Sequence, residues 1–263
     1  MIFASDLDRT LMYSVRAMAE LGGQENDLLK PVEKKDGRWV GFMTEVAYLN
    51  LKELCQQSLF IPVTTRTTQQ FDRFIIFKKE IPLQYAITTN GAYILYRGEQ
   101  LEEWSTHILQ TMKREAAAMD EMFALLKQEG YVFEGTFRQI EDAFFYYTLT
   151  TLPSKFDKNA LQAFVSIYGW RVSLQGRKLY FIPKAISKGA ALEFICQREG
   201  TCCVAGAGDS MLDWDFLQHC HHRFVPRHGE LANSLANDSV HLIDQSGIKA
   251  GEEILRYFYQ LLT

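Results

Sequence analysis

Near the N-terminus stand two aspartates with one apolar residue between them, Asp6-Leu7-Asp8. They follow Ile2 to Ala4, which reads as a short buried strand. Side chains two apart on an extended backbone share a face, so both carboxylates project to one place just past the strand end. In an open α/β sheet that is where ligands bind. Two like charges this close are costly unless a cation or an acid–base task holds them. Later stretches add matching groups: Thr64 after a second apolar run, Lys188 at the opening of a helix, and Asp209 and Asp213 flanking the start of another. The reaction that wants these types together is phosphoryl transfer. One carboxylate can attack phosphorus and form an acyl phosphate. A second can protonate the leaving oxygen and later activate water. A hydroxyl and an ammonium can hold the non-bridging oxygens, and further carboxylates can hold Mg2+.

The elements that must position these groups alternate. Thr44 to Gln57 has helical spacing with Thr44 as a cap, and Leu59 to Val63 is a strand ending at Thr64. Thr68 to Lys79 is read as one helix, Tyr85 to Ile87 as a strand stopping at the Asn90-Gly91 turn, and Tyr93 to Trp104 as a hairpin. Residues 12–43 show no strong period and are expected to form a flap or loose hairpin beside the first strand end. The rhythm then changes to helix, strand, strand, twice over: Thr106–Gln128, Tyr131–Phe137, Ala143–Thr150, then Pro153–Tyr168, Trp170–Leu174, Lys178–Ile182. That pattern is an α+β unit with an antiparallel sheet. From Ser187 the strand–helix alternation returns, with Lys188 opening a helix, Thr201–Ala205 a strand, Ser210–His219 a helix, Phe224-Val225 a strand, Glu230–Ala236 a helix, Val240–Ile243 a strand and Ile248–Leu262 a closing helix. The expected fold is therefore α/β, a Rossmann-like parallel-sheet core with an inserted α+β cap. Residues 1–101 and 179–263 are assigned to the core and 102–178 to the cap.

Composition narrows the partners. The chain has 263 residues, 47% of them hydrophobic, and a formal net charge of −4, which argues against a broad basic face for nucleic acid. No apolar run reaches membrane-spanning length. The N-terminus shows no signal-peptide pattern, and the five cysteines show no CxxC spacing, so a cytoplasmic location with reduced thiols is expected.

Taken in order, these segments resemble the motifs of the haloacid dehalogenase (HAD) superfamily of phosphatases, and more narrowly its type IIB, Cof-like and sucrose-phosphatase-like group. Asp6, Asp8 and Thr10 match the first motif, Thr64 and Arg66 the second, and Asn90-Gly91-Ala92 an Asn-Gly-Ala stretch. Ser187-Lys188-Gly189 matches the third, and Gly208-Asp209-Ser210 with Asp213 the fourth. The resemblance implies an Mg2+-dependent phosphomonoester hydrolase acting on a small phosphorylated metabolite, such as a phosphosugar, through an aspartyl phosphate. It makes Asp6 the nucleophile and a metal ligand, and Asp8 the general acid/base with its backbone carbonyl on the metal. Thr64 and Lys188 bind the phosphoryl group, Asn90 lies near the substrate, Asp209 is a metal ligand and Asp213 a direct or water-mediated one. A phosphotransferase or mutase on the same fold and a non-catalytic binding protein are the alternatives. The chain departs from the pattern at Arg9 and Thr65, where glycines are usual, and at Leu212, where Asn is usual. Arg9 has two readings: its guanidinium pairs with a nearby carboxylate or solvent, or it holds a second anionic group of the substrate.

Four further features invite function. His219-Cys220-His221-His222 lacks metal-ligand spacing and reads as a solvated turn with one buried thiol. Gly206-Ala207-Gly208 lacks the third glycine of a dinucleotide site. Phe144 to Tyr147 reads as a strand burying alternate rings, Cys202-Cys203 as core, and Arg227 and His228 as surface groups.

Overall fold

The computed structural model describes residues 1–22, 28–151, 156–234 and 239–262. Five parallel strands form the central sheet in the order His241–Ile243, Cys220–Pro226, Cys203–Ala207, Ile2–Ser5, Leu59–Pro62. Ile2–Ser5 is buried along its whole length, as expected of a parallel strand covered on both faces. Phe3, Phe60 and Ala205 pack with Leu51 and Leu54 of helix Glu45–Gln57 and Ile254 and Phe258 of helix Ile248–Gln260. Beyond Leu59–Pro62, Val63 bridges Ile87 of the strand Tyr85–Thr88, which begins a separate antiparallel sheet with Tyr93–Tyr96 and Glu99–Gln100.

This order places Asp6 where neighbouring strands end together. The Asp6 N–H donates to Ala207 O at 2.9 Å, and the Val63 N–H donates to Ser5 O at 2.8 Å. Leu7, at the bend after Asp6, receives the N–H groups of Leu11 and Met12 on its carbonyl at 3.0 and 2.8 Å. The chain thus turns back tightly while Asp6 and Asp8 stay at the strand end.

Two compact units make up the chain, one of Met1–Leu101 with Lys188–Thr263 and one of Glu102–Ser187. The core is thus a Rossmann-like α/β sheet, and the inserted cap is an α+β unit. The cap's antiparallel sheet runs Trp170–Gln175, Lys178–Pro183, Phe144–Leu149, Gly135–Ile140. The expected boundary at 178/179 falls inside this sheet. Lys178–Pro183 pairs on both sides with cap strands, so the cap's chain continues to Ser187. Alternation reveals a strand but not its partners. Phe145 stacks on Phe181 inside the cap core, while Phe144 is buried against Tyr180 on the opposite face, so both phenylalanines are buried rather than alternate rings.

Several expected elements differ in extent, and two helices are split by contacts with distant sequence. The Thr106–Gln128 helix is two, Glu102–Glu115 and Met119–Gln128. Between them the Ala117 N–H donates to Tyr168 O and its carbonyl accepts from Trp170 Nε1, both at 2.9 Å. Trp104 therefore lies in a helix, not in the hairpin. Thr68–Lys79 is also two short helices, Thr68–Phe71 and Ile75–Lys79. Arg73 O between them is taken by the Lys34 N–H at 2.9 Å. Ser210–His219 shrinks to Trp214–Leu217, and Phe224-Val225 lengthens to Cys220–Pro226. Residues 12–43 are ordered where described: Tyr13–Ser14, helix Val15–Leu21 and a hairpin of Leu29–Lys35 and Arg38–Thr44. Gly23, Pro153 and Ala236, expected in a loop and two helices, lie outside the described residues.

The helix Lys188–Glu199 crosses close behind Trp214–Leu217. A Cβ on Gly189 would stand 2.1 Å from Asp215 O, which is backbone. Gly189→Ala should therefore lower stability by about 1–3 kcal/mol, despite alanine's better helix propensity. The urea midpoint measures this, and an unchanged midpoint would disprove the close approach.

Candidate active site

The ends of Ile2–Ser5 and Cys203–Ala207 deliver three aspartates to one place. Oxygens of Asp6, Asp209 and Asp213 all lie within 4.8 Å of one another. Asp6 and Asp213 are buried, and Asp209 is partly exposed. Lys188, fully buried, lies against this group, with Nζ 2.6 Å from Asp213 Oδ1 and 3.2 Å from Asp6 Oδ1. Asp213 organises its own loop: its Oδ2 accepts from Asp209 N at 3.1 Å, Ser210 N at 2.9 Å and Ser210 Oγ at 2.8 Å. That turn explains why the helix starts only at Trp214. It also saturates Oδ2, leaving Oδ1 as the face of Asp213 that meets Lys188.

The charges do not balance. Three carboxylates face one ammonium, an excess of two negative charges in a site largely stripped of water. Burial, with Asp213 adding to it, pushes Asp6 up to about 8, against the partial relief that Lys188 gives. Asp209 is pushed well above its ordinary value by loss of water and by Asp213 and Asp6. Burial disfavours the charged form of Lys188, but Asp213 and Asp6 outweigh it and the ammonium is held above its ordinary range. A divalent cation fits this deficit in charge and in donor type. The donors are carboxylate oxygens, which suit a hard ion, and the Asp209 carboxylate accepts no hydrogen bond from any described residue.

Asp8 points elsewhere. Both its oxygens are held by Arg66, Nε to Oδ2 and Nη2 to Oδ1, each at 2.6 Å. Arg66 in turn meets Glu33 through Nη1 at 2.6 Å and Nη2 at 3.0 Å, and its guanidinium lies 4.5 Å over the Phe74 ring. Burial would lower the Arg66 pKa, but Asp8 and Glu33 raise it above the usual range. Thr64, buried at the next strand end, accepts the Arg66 N–H on Oγ1 at 3.1 Å, and its carbonyl accepts the Asn90 N–H at 3.0 Å. Asn90 is fully buried with φ +59°, and its side-chain oxygen and nitrogen have no hydrogen-bond partner among the described residues. A buried amide left open in this way is costly unless a ligand completes it.

Arg9 sits at φ +62°, in the region glycine tolerates best. Its carbonyl accepts from Tyr13 Oη at 2.9 Å and bonds His228 Nε2 at 2.8 Å. The Gly247 N–H donates to His228 Nδ1 at 3.3 Å. Nδ1 is thus the acceptor, so Nε2 carries the proton and donates to Arg9 O. Burial lowers the His228 pKa, keeping the ring neutral. The Arg9 guanidinium pairs with Glu20 Oε2 at 3.0 Å, both side chains 40% exposed.

The structure thus brings together Asp6, Asp209, Asp213 and Lys188, and separately ties Asp8 to Arg66 and Thr64 to Asn90. Three residues of the site carry no clear signal in the sequence. Glu33 lies in a run of charges, Glu33-Lys34-Lys35-Asp36, that looks like a solvated turn. Tyr13 carried no signal. His228, expected at the surface, is half-buried beneath Arg9; Arg227 is exposed and pairs with Asp244 at 2.7 Å. His219, His221 and His222 are exposed while Cys220 is buried, its Sγ 3.3 Å from that of Cys203; Cys202, expected in the core, is exposed. Among the described residues, the aspartate trio is the one acid, histidine or cysteine group close enough to share a metal ion.

No family model matches the sequence, and no curated protein matches it. Solved structures do match over nearly full length. The sucrose-phosphatase of Synechocystis sp. PCC6803, determined with sucrose and phosphate, aligns with a TM-score of 0.67 at 14% identity, over 98% of this chain and 97% of that one. Protein 0175 of Thermoplasma acidophilum aligns at 0.62 and 11% identity, over 100% and 98%. BT1666 of Bacteroides thetaiotaomicron, from the haloalkanoate (HAD) enzyme superfamily, aligns at 0.58 and 12% identity, over 98% and 94%. The chain therefore shares its fold with these solved structures. Among the described residues, no helix is long and apolar enough to cross a membrane.

The strain at Arg9 can be measured. Arg9→Gly and Arg9→Ala both remove the exposed pair with Glu20, but only glycine relieves the positive φ. The glycine variant should be more stable than the alanine variant by about 1 kcal/mol in chemical denaturation. Alanine equal to or better than glycine would place Arg9 outside the left-handed region.

Proposed function

We propose that the chain is a Mg2+-dependent phosphomonoester hydrolase of the HAD type, acting on a small phosphorylated metabolite such as a phosphosugar. The observation that carries this reading is the cluster of Asp6, Asp209 and Asp213 around buried Lys188, with its excess negative charge, at the carboxyl ends of the parallel strands. Expensive groups of this kind argue for a working site rather than a binding scaffold. The substrate class rests on the likeness in fold to an enzyme of known substrate, a sugar phosphatase.

In this reading Asp6 attacks phosphorus with a carboxylate oxygen, and the bond to the leaving oxygen breaks. Asp8 gives that oxygen a proton; Arg66 leaves each Asp8 oxygen a further lone pair on which a proton can sit. Thr64 Oγ1 and Lys188 Nζ hold the non-bridging oxygens of the transferring group, and Asn90 offers its open amide to the substrate. Asp8 then takes a proton from water, the water oxygen bonds to phosphorus, and Asp6 is released with inorganic phosphate. Mg2+, held by Asp6, Asp209, Asp213 and the Asp8 carbonyl, would supply positive charge to the phosphoryl oxygens and to the acid cluster.

Asp6→Asn should lower turnover of an aryl phosphate by several orders of magnitude, read as phosphate released per enzyme. Near-normal release by that variant would remove Asp6 from the nucleophile's role.

The metal reading has its own pH signature. Asp6 is raised from 3.8 to about 8 in the folded protein. The metal-free fold therefore binds a proton there that the unfolded chain has shed, and its stability falls as pH rises across that window. Mg2+ replaces the proton, so the rise in melting temperature on adding Mg2+ should grow from pH 5.5 to pH 8, by about several degrees. A Mg2+ effect that is flat or shrinking with pH, or full phosphate release in excess chelator, would defeat this reading.

A further inference from the structure

Glu33 comes from the hairpin of Leu29–Lys35 and Arg38–Thr44, far in sequence from every motif of the site. It is 3% exposed. The ladder shifts register on both sides of it, a bulge that re-aims its side chain. Its ladder partner is Gly41, where an added Cβ would lie 2.8 Å from Glu33 Cβ and 3.1 Å from Oε2. The hairpin therefore keeps room for this carboxylate. It is anchored beside the second motif, with Lys34 N–H on Arg73 O at 2.9 Å and a bridge between Glu33 and Phe74.

Two guanidinium groups meet Glu33. Arg73 reaches it through Nη2 at 2.9 Å, and Arg66 through two nitrogens. Arg66 has two usable edges and rests on Phe74. One edge holds Glu33, and the other holds both oxygens of Asp8. A planar fork gripped on one side by a buried carboxylate has little freedom left on the other.

We infer that Glu33 is a positioning residue for Asp8: it fixes the Arg66 guanidinium, which in turn fixes the rotamer of the Asp8 carboxylate. The inference rests on the proposed role of Asp8 as the group that protonates the leaving oxygen. Misplacing that group matters most when the leaving oxygen is a poor one, as in an alkyl ester, and least for a nitrophenolate that departs without a proton.

The test compares Glu33→Gln, which keeps shape but removes charge, with Arg73→Gln, which breaks the same cluster without touching the Arg66–Asp8 contact. With Mg2+ present, kcat is measured on glycerol phosphate and on p-nitrophenyl phosphate. Glu33→Gln should lose about tenfold or more on the alkyl ester and less than about threefold on the aryl ester. Arg73→Gln should leave the ratio of the two unchanged, and Glu33→Gln should add nothing in an Asp8→Asn background. An equal loss on both esters, a ratio moved as much by Arg73→Gln, or a further loss without Asp8 would overturn the inference. If Glu33→Gln does not fold, Glu33→Asp, which keeps charge and shortens reach, is read in the same way. Wild-type protein that releases phosphate from neither ester would refute the phosphatase reading instead. The positioning is then read from the Arg66 Nε–H resonance, expected to exchange slowly in wild type and Arg73→Gln and to be lost in Glu33→Gln. Its persistence in Glu33→Gln would overturn the inference without reference to activity.

Discussion

A buried ammonium set among acids is the constraint from which the core can be understood. Lys188 has no exposed surface, so its charge is tolerable only because Asp6 and Asp213 lie within hydrogen-bond reach. Those two acids come from different strand ends, and Lys188 from the first residue of a helix that returns after the inserted unit. The ion group therefore ties the two halves of a discontinuous core together. Its net negative charge is the opposite of what stability alone would select. Replacing one aspartate by a neutral residue would relieve repulsion, so the surplus is intelligible as a feature kept for a cation or for chemistry.

The loop after the first strand shows how the backbone meets that demand. Leu7 O collects three N–H groups, those of Thr10, Leu11 and Met12, and Arg9 N donates to Met12 O at 2.9 Å. Arg9 is then forced to positive φ, where a side chain is unwelcome. Tyr13 and neutral His228 both donate to its carbonyl, and these bonds offset the strain. The Arg9 side chain leans outward to Glu20, so its presence in place of glycine leaves Asp6 undisturbed.

What could be read in the sequence was local. The Asp6 and Asp8 spacing, the Thr44 cap, whose Oγ1 accepts the Ala47 N–H at 3.0 Å, and the strand ending at Thr64 all depend on neighbours in the chain. The two helices split in the middle, by contrast, are broken by partners distant in sequence: Arg73 O by Lys34 N, Ala117 by Tyr168 and Trp170. Periodicity reports which face of a segment is apolar, and it is silent about a carbonyl spent elsewhere. Glu33 was hidden for a related reason. A glutamate beside two lysines looks solvated, and only the bulge and Gly41 turn it inward.

The two aspartates of the first motif, two residues apart, end in opposite surroundings. Asp6 faces other carboxylates, and its own charge is resisted by burial and by Asp213. Asp8 faces a guanidinium that grips both its oxygens. Alternation along an extended strand would have given them one environment; the tight turn at Leu7 and Arg9 separates them. Two like groups placed in contrasting fields are the usual means by which one site assigns different tasks to identical side chains. Here the contrast is supplied from outside the motif. Lys188, Asp209 and Asp213 act on one aspartate, and Arg66 with Glu33 acts on the other. The division of labour between Asp6 and Asp8 is therefore a property of the whole core, to which the hairpin that carries Glu33 belongs as much as the central sheet does.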